Sequence, residues 1–270
     1  MRDSGLEGKV AVVTGGGGIL CSHMCMCLAE AGMKVVAMDL YQEKVDKVAA
    51  EIKKAGGEAL ALAADVTSPE SLKAARDRVV EHFGGVHLLL NGAGGNHPDA
   101  STGDDKSFMD LKMDGFKFVF NLNIIGTVVP CQIFLPELLK DSESCIINIS
   151  SMSATLPLTK VVGYSAAKAA IDNFTRWLAV HVSQNYNKSV RVNAIAPGFL
   201  LTDQNRFLLQ SQDGKATPRG ETIMRGTPMG RYGEPDELVG AVLWLASRQA
   251  SFVHGAIIPI DGGFSAFSGV

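Results

Sequence analysis

The 270-residue chain has few prolines (10), few aromatic residues (7%) and five cysteines. Scarce proline and the lack of any low-complexity block argue against disorder and against a linker dividing the chain into two domains. The cysteines, Cys21, Cys25, Cys27, Cys131 and Cys145, are odd in number, and the opening MRDSGLEGKV has no apolar signal-peptide core. A disulfide framework is therefore not expected, and the expected compartment is the reducing cytoplasm. Long apolar runs are also missing. Gly, Asp, Lys or Asn interrupts each one before the roughly 18 residues needed to span a bilayer, so no membrane partner is expected. Nor is there an excess of positive charge. Lys and Arg number 25 against 28 Asp and Glu, a formal net charge of -3, which is the wrong balance for a nucleic-acid partner. Any anionic small molecule must be met by local side chains.

The chain does have glycine, 29 residues of it, and 46% hydrophobic residues. Segments 9–14, 34–39, 58–64, 86–91, 144–150, 189–195 and 256–260 read as strands, most of them apolar on both faces, as in a parallel sheet covered by helices. Helix-period segments lie between them at 43–55, 69–83, 115–139, 163–187 and 234–247. Ser68 before Pro69 supplies a cap and a proline at the first helical position. Pro130 and Pro136 predict that the helix over 115–139 is kinked or ends early. The alternation predicts an α/β fold of Rossmann type: a doubly wound, seven-stranded parallel sheet with helices on both faces, built as one domain over 1–270. Seven strands disfavour the competing (β/α)8 barrel. Two polar segments, about 94–114 and 199–231, break the rhythm. Each follows the carboxyl end of a strand, where an open α/β sheet places its ligands, and they are the expected walls of a substrate site.

The first strand runs straight into Gly15, Gly16, Gly17 and Gly18, and then into Ile19 and Leu20 on a helical pattern. Glycines here let the backbone approach a pyrophosphate, and the helix directs its N–H groups at the phosphates. An ordinary strand-to-helix turn is the alternative. The second strand ends at Asp39, where a carboxylate can accept hydrogen bonds from both ribose hydroxyls of an adenosine. A solvated strand-end Asp is the alternative there. A 2′-phosphate would meet that charge at close range, and neither the glycine loop nor Leu40 and Tyr41 supplies an Arg or Lys, so NAD is expected over NADP. Segment 21–27 (CSHMCMC) invites a metal reading. On a helix, however, Cys21 and Cys25 share a face with Leu28 while His23 and Cys27 point elsewhere, so no metal is expected.

The fifth strand leads into Ser150 and Ser151, and the next helix opens with YSAAK, Tyr164 to Lys168. Tyrosine and lysine four apart lie on one helix face, where the ammonium can stabilise a phenolate and draw its pKa toward neutrality. That is a general acid or base for interconverting a carbonyl and an alcohol. Such a pair also arises by chance; Ser151 at a strand end, thirteen residues upstream, makes the constellation far more specific.

Through Thr14 to Gly18, Asp65, Val66, Asn91, Gly92, Ala93, Gly94, Asn123, Ser151, Tyr164, Lys168, Pro197, Gly198, Thr202 and Asp261 to Gly263, the chain resembles the short-chain dehydrogenase/reductase family over essentially its whole length. The resemblance implies that Tyr164 exchanges the proton and Ser151 orients the substrate oxygen. It also implies that Lys168 binds the nicotinamide ribose and lowers the tyrosine pKa, and that Asn123 holds a water in the proton relay. Asp65 and Val66 would contact adenine, Asn91, Gly92 and Ala93 would line the cofactor, and Pro197, Gly198 and Thr202 would meet its nicotinamide end. A homotetramer is implied as well, with segments 115–139 and 163–187 and the last strand at the contacts. Two departures stand out. Ile19 and Cys21 occupy the later glycine positions of the family's loop, and Gly92 follows Asn91 where Asn-Asn is commoner.

Within the family, the stretches 91–100, 147–160, 196–206 and 263–270 look like the subgroup of D-mannonate oxidoreductases, which interconvert D-mannonate and D-fructuronate. Such a sugar acid needs polar partners, and Asn96, His97, Ser151, Ser153, Lys160, Gln204, Asn205 and Arg206 are the candidates, each also readable as a solvated loop residue. Arg206 is the leading carboxylate partner, because its planar fork suits bidentate pairing. For His97, hydrogen bonding or loop packing is favoured over proton transfer. The competing readings are another polyol or keto-acid reductase, such as a gluconate 5-dehydrogenase-like enzyme, and a non-catalytic nucleotide-binding regulator.

Overall fold

A computed structural model describes residues 4–202, 209–211 and 213–269. Its centre is one seven-stranded sheet, all parallel, in the order β3-β2-β1-β4-β5-β6-β7. The strands are β1 (Val10–Thr14), β2 (Lys34–Asp39), β3 (Ala59–Ala63), β4 (Leu88–Asn91), β5 (Cys145–Ile149), β6 (Arg191–Pro197) and β7 (Ile257–Ile260). The order reverses at β1, which pairs with β2 on one side and β4 on the other. A crevice opens there at the strands' carboxyl ends.

Both faces are apolar because alternate residues serve alternate layers. Ala11, Val13, Val35, Ala37, Leu88 and Leu90 join one core with α1 (Ile19–Glu30), α2 (Gln42–Lys54) and α8 (Val239–Ala246). Val10, Val12, Val36, Met38, Leu89 and Ile146 join the other with α3 (Pro69–Phe83), α5 (Gly126–Leu138) and α6 (Val162–Asn185). α3 starts as its sequence dictates: Ser71 N donates to Ser68 Oγ at 3.2 Å, and Pro69 sits in the first turn. Such a cap contributes about 1 kcal/mol.

Three expectations are corrected. The helix over 115–139 is not ended by its prolines. Instead α4 (Met113–Phe120) passes through a π turn, Asn121–Ile125, into α5, which runs through Pro130 and Pro136. Each proline removes one backbone bond, but Val129, Cys131, Phe134 and Leu138 are buried around them and packing holds the helix. Second, this joined stretch, Met113–Leu138, is by length and composition apolar enough to cross a bilayer, contrary to the sequence reading. The buried part of its apolarity belongs to the core under the sheet. Third, the excursion over 199–231 contains a helix, α7 (Pro218–Gly226), capped by Thr217, whose side chain accepts from Gly220 N at 3.1 Å.

Candidate active site

The crevice is built by close backbone approach. Gly15 has φ +67°, which a residue with a side chain rarely adopts, and a β-carbon there would stand 2.8 Å from Ala93 N. Gly16 N donates to Met38 O at 2.8 Å and Gly17 N to Asp39 Oδ2 at 3.2 Å. These bonds lay the loop across the ends of β1 and β2. α1 begins at Ile19 with Gly18 as its cap and no side-chain hydrogen bond there, so the first-turn amides of Ile19 and Leu20 are available to a phosphate. Thr14 Oγ1 accepts from Gly92 N and Ala93 N at 3.1 and 3.2 Å, tying β1 to the turn after β4.

Asp39 is placed at the end of β2, its other oxygen accepting from Tyr41 N at 3.3 Å, and Leu40 and Tyr41 are exposed beside it. Asp65 Oδ1 accepts from Thr67 N and Oγ1 at 2.8 and 2.7 Å, and buried Val66 packs on Gly126. Asn91 faces the interior: its Nδ2 donates to Asn148 Oδ1 at 2.9 Å, and Asn148 Nδ2 donates to Thr175 Oγ1 at 2.9 Å. Only the backbone of Asn91 can line a ligand. Pro197 and Gly198 follow β6, with Gly198 N donating to Ile260 O at 2.9 Å. Ile19, Leu20, Ser151, Tyr164, Pro197, Gly198 and Thr202 enclose one cavity of about 250 Å³. A cradle that β-carbons would fill, a carboxylate at the ribose corner and open helix amides together fit a dinucleotide.

The candidate reacting groups lie at the same end. Ser151 opens a short 3-10 turn after β5, its Oγ accepting from Ser153 N at 3.2 Å. Tyr164 lies in the first turn of α6 and is hydrogen-bonded to the Ser151 side chain. Lys168 Nζ is 5.5 Å from the Tyr164 ring centre and donates to Ile149 O at 2.7 Å. Burial pushes the Tyr164 phenol above its ordinary value, partly opposed by the Ser151 hydrogen bond. This differs from the expected shift toward neutrality. The lysine is itself weakened as a cation, since burial lowers it to about 8, opposed by Cys21 and Asp172. The Ser150 hydroxyl donates to buried Asp172, one turn beyond Lys168 on α6.

Asn123 lies in the π turn, where Nδ2 donates to Gly95 O and Val119 O at 2.7 and 2.8 Å, and its own carbonyl accepts from Thr127 Oγ1 at 2.7 Å. A β-carbon on Gly94 would stand 2.7 Å from Asn123 Oδ1 and 3.4 Å from Lys168 Nζ. A side chain at Gly94 would thus press on both Asn123 and Lys168.

The substrate candidates divide. Ser153 is buried, and its hydroxyl has no hydrogen-bond partner among the described residues. Asn96 Nδ2 donates to Ser101 Oγ at 2.8 Å. His97 caps its own turn, Nδ1 accepting from Asp99 N at 3.1 Å, and packs on Phe118 with ring centres 5.2 Å apart. Lys160 is paired with Asp104 at 2.9 Å, and its carbonyl accepts from Thr102 N at 2.9 Å, so it staples the loop after β4 to the loop after β5. Gln204, Asn205 and Arg206 lie outside the described residues. Sequence reasoning missed the second cavity, about 550 Å³, between loop 156–160, Phe199, α7 and Phe264. It also missed Lys44 beside Gly17. On α1, Cys21 and Cys25 are buried with Leu28, while His23 Nδ1 meets Asp236 Oδ1 at 2.8 Å.

Comparison with known proteins agrees with this geometry. A family model described as enoyl-(acyl carrier protein) reductase matches residues 20–265. The uncharacterized oxidoreductase UxuB of Bacillus subtilis is 52% identical over 98% of each chain. A solved Haemophilus influenzae protein, provisionally assigned as a D-mannonate oxidoreductase and holding NAD, is 46% identical over 98% of each chain, with a TM-score of 0.93. A 7α-hydroxysteroid dehydrogenase complexed with NADH and 7-oxo glycochenodeoxycholic acid is 32% identical over 97% of each chain, with a TM-score of 0.83. This chain therefore belongs to the short-chain dehydrogenase/reductase family of oxidoreductases.

Proposed function

We propose that the protein is an NAD-dependent oxidoreductase that interconverts D-mannonate and D-fructuronate. The observation that carries this reading is the 46% identity and 0.93 TM-score to the NAD-bound, provisionally assigned D-mannonate oxidoreductase. Held in the crevice by the glycine loop and Asp39, the nicotinamide cofactor would supply the hydride acceptor for the alcohol carbon and, when reduced, the hydride for the carbonyl carbon. In the reducing direction Tyr164 gives its proton to the carbonyl oxygen while the Ser151 hydroxyl holds that oxygen in place. Lys168, one turn along α6 from Tyr164, would hold the nicotinamide ribose, and Asn123 would help return a proton to Tyr164. Ser153 Oγ is the proposed partner of a substrate hydroxyl, and Arg206 of the carboxylate. Asp39 selects NAD over NADP. The proposed enzyme is one domain and works as a cytoplasmic homotetramer, its exposed Phe118, Ile125, Trp177 and Val180 on α4 to α6 covered by neighbouring copies.

Loss of NADH absorbance with D-fructuronate, exceeding that with 5-ketogluconate and simple ketones, is the expected result. Preference for 5-ketogluconate would select the gluconate 5-dehydrogenase-like reading. A further reading has its own support: Leu156, Leu158, Phe199, Ile223 and Phe264 line the larger cavity and favour a bulkier apolar carbonyl compound. Turnover of a ring ketone without turnover of fructuronate would select it, and cofactor binding without any turnover would mark a regulator.

A further inference from the structure

The corner of the crevice that faces the adenosine ribose contains a cation contributed by neither the glycine loop nor the end of β2. Lys44 lies in the first turn of α2 and lays its stem on Gly17. A β-carbon at Gly17 would stand 2.6 Å from Lys44 Cβ and 3.2 Å from Asp39 Oδ2. One ammonium-bearing stem and one carboxylate therefore converge on the same glycine. The placement is anchored from several sides. Ala63 N donates to Gln42 Oε1 at 2.8 Å, which fixes the start of α2 on β3, and Ala64 N donates to Asp39 O at 2.8 Å. Asp39 is held by the amides of Gly17 and Tyr41 at 3.2 and 3.3 Å.

The head of Lys44 is less committed than its stem. Nζ lies 4.8 Å from the centre of the exposed Tyr41 ring, a contact that is weak where water reaches it. Four rotatable bonds let the ammonium leave that ring while the stem stays on Gly17. The nearby acids of the same helix are Glu43, which is exposed, and Asp46, which accepts from Gln42 Nε2 at 2.8 Å. Of the charges at this corner, Asp39 is the one whose carboxylate touches the loop itself.

We propose that Lys44 is a latent determinant of cofactor choice, which receives the 2′-phosphate of NADP once the Asp39 carboxylate is neutralised. The proposal rests on the reading of Asp39 as the ribose partner. With Asp39 ionised, a 2′-phosphate meets a like charge at the loop, and the ammonium opposite offsets it only in part. With that charge removed, the same ammonium meets the phosphate unopposed.

The test is nucleotide binding to the full chain, followed by fluorescence titration with NADH and with NADPH, so it does not depend on the identity of the substrate. The proteins are the wild type, Asp39→Asn, Lys44→Met and the double variant. Asn keeps an acceptor for the loop amides, and Met keeps the stem on Gly17. Asp39→Asn is expected to tighten NADPH binding by roughly ten- to a hundredfold, and adding Lys44→Met to take back about two- to fivefold of that gain, the scale of one exposed charge pair. NADH affinity moves far less on the second change. The NADPH affinity of Asp39→Asn also weakens as salt is added, more steeply than that of the double variant. An equal effect of Lys44→Met on both nucleotides, or none on NADPH, overturns the proposal. Tighter binding of NADPH than NADH by the wild type would instead overturn the reading of Asp39. Should Asp39→Asn not fold, Lys44→Met alone decides: a selective rise in the NADPH Kd supports the proposal, and no selective rise refutes it.

Discussion

Cys21 and Gly92 share one volume: the Cys21 thiol occupies the space that a β-carbon on Gly92 would need. One residue lies in the first turn of α1 and the other in the turn after β4. With Ile19 they are the places where the chain leaves its family's pattern, and the glycine lost at Cys21 faces the one gained at Gly92. Gly92→Asn is expected to lower stability by about 1–3 kcal/mol through overpacking, read as a lower Tm. Combining it with Cys21→Gly should recover part of that loss, because Thr14 O still stands 2.9 Å from the added β-carbon. Strictly additive losses in a double-mutant cycle would show that the two sites do not compensate.

Tyr164→Phe removes the hydroxyl that meets Ser151 and leaves the crevice intact. Turnover should fall by roughly 10²–10⁴-fold, the usual worth of a positioned acid or base, with NADH affinity retained. Retained turnover in steady-state assays would displace Tyr164 as the proton donor.

Gly94→Ala presses a methyl on both Asn123 and Lys168. The new methyl would lie 2.7 Å from Asn123 Oδ1, too close to be tolerated without movement. We expect kcat to fall more than KM rises, because the proposed proton path runs through the groups displaced. Unchanged kcat would separate this contact from catalysis.

Lys168 carries a stability cost whose pH dependence has a definite sign. An unfolded lysine keeps its proton up to about 10.5, whereas burial lowers Lys168 to about 8 in the folded chain. Between these values the unfolded state binds more protons, so this group's contribution to stability rises with pH. Lys168→Met should accordingly stabilise the fold below pH 8 by on the order of 1–3 kcal/mol while abolishing turnover. The gap should close toward pH 10.5. Equal Tm differences at pH 7 and pH 10 would contradict it.

Arg206→Ala tests the carboxylate partner read from the sequence. Fructuronate KM should rise by roughly tenfold or more, the scale of a lost charge-assisted hydrogen bond, with NADH binding largely spared. Unchanged constants would pass the role to another cation.

Much of this was legible in the sequence. Strands buried on both faces announce themselves as continuous apolar runs, and a capped proline such as Ser68–Pro69 marks a helix start wherever it occurs. The same signal at Thr217 and Pro218 was available and went unused, because the surrounding segment reads as polar loop. The π turn left no comparable mark: Asn121 to Ile125 are helix-compatible residues, and the bond from Asn123 Nδ2 to Gly95 O in that turn joins residues 28 apart in the chain. Lys44 escaped for a related reason. Sequence proximity led to Leu40 and Tyr41, whereas the first turn of α2 brings a residue five positions beyond Asp39 back onto the glycine loop.

The bond between Asn91 and Asn148 bears on how the sheet finds its order. The two residues are direct partners across β4 and β5, and their amides meet beside a buried apolar layer, with Cys131 and Thr175 as further partners. A slip of one residue would set Asn91 opposite Ile147 or Ile149 and strand a buried amide at about 1–3 kcal/mol for each lost partner. An apolar strand pair by itself is nearly indifferent to sliding, since one aliphatic side chain replaces another. This polar rung makes one alignment of the central strands distinct from its neighbours, and so fixes the height at which Ser151 emerges beside Tyr164.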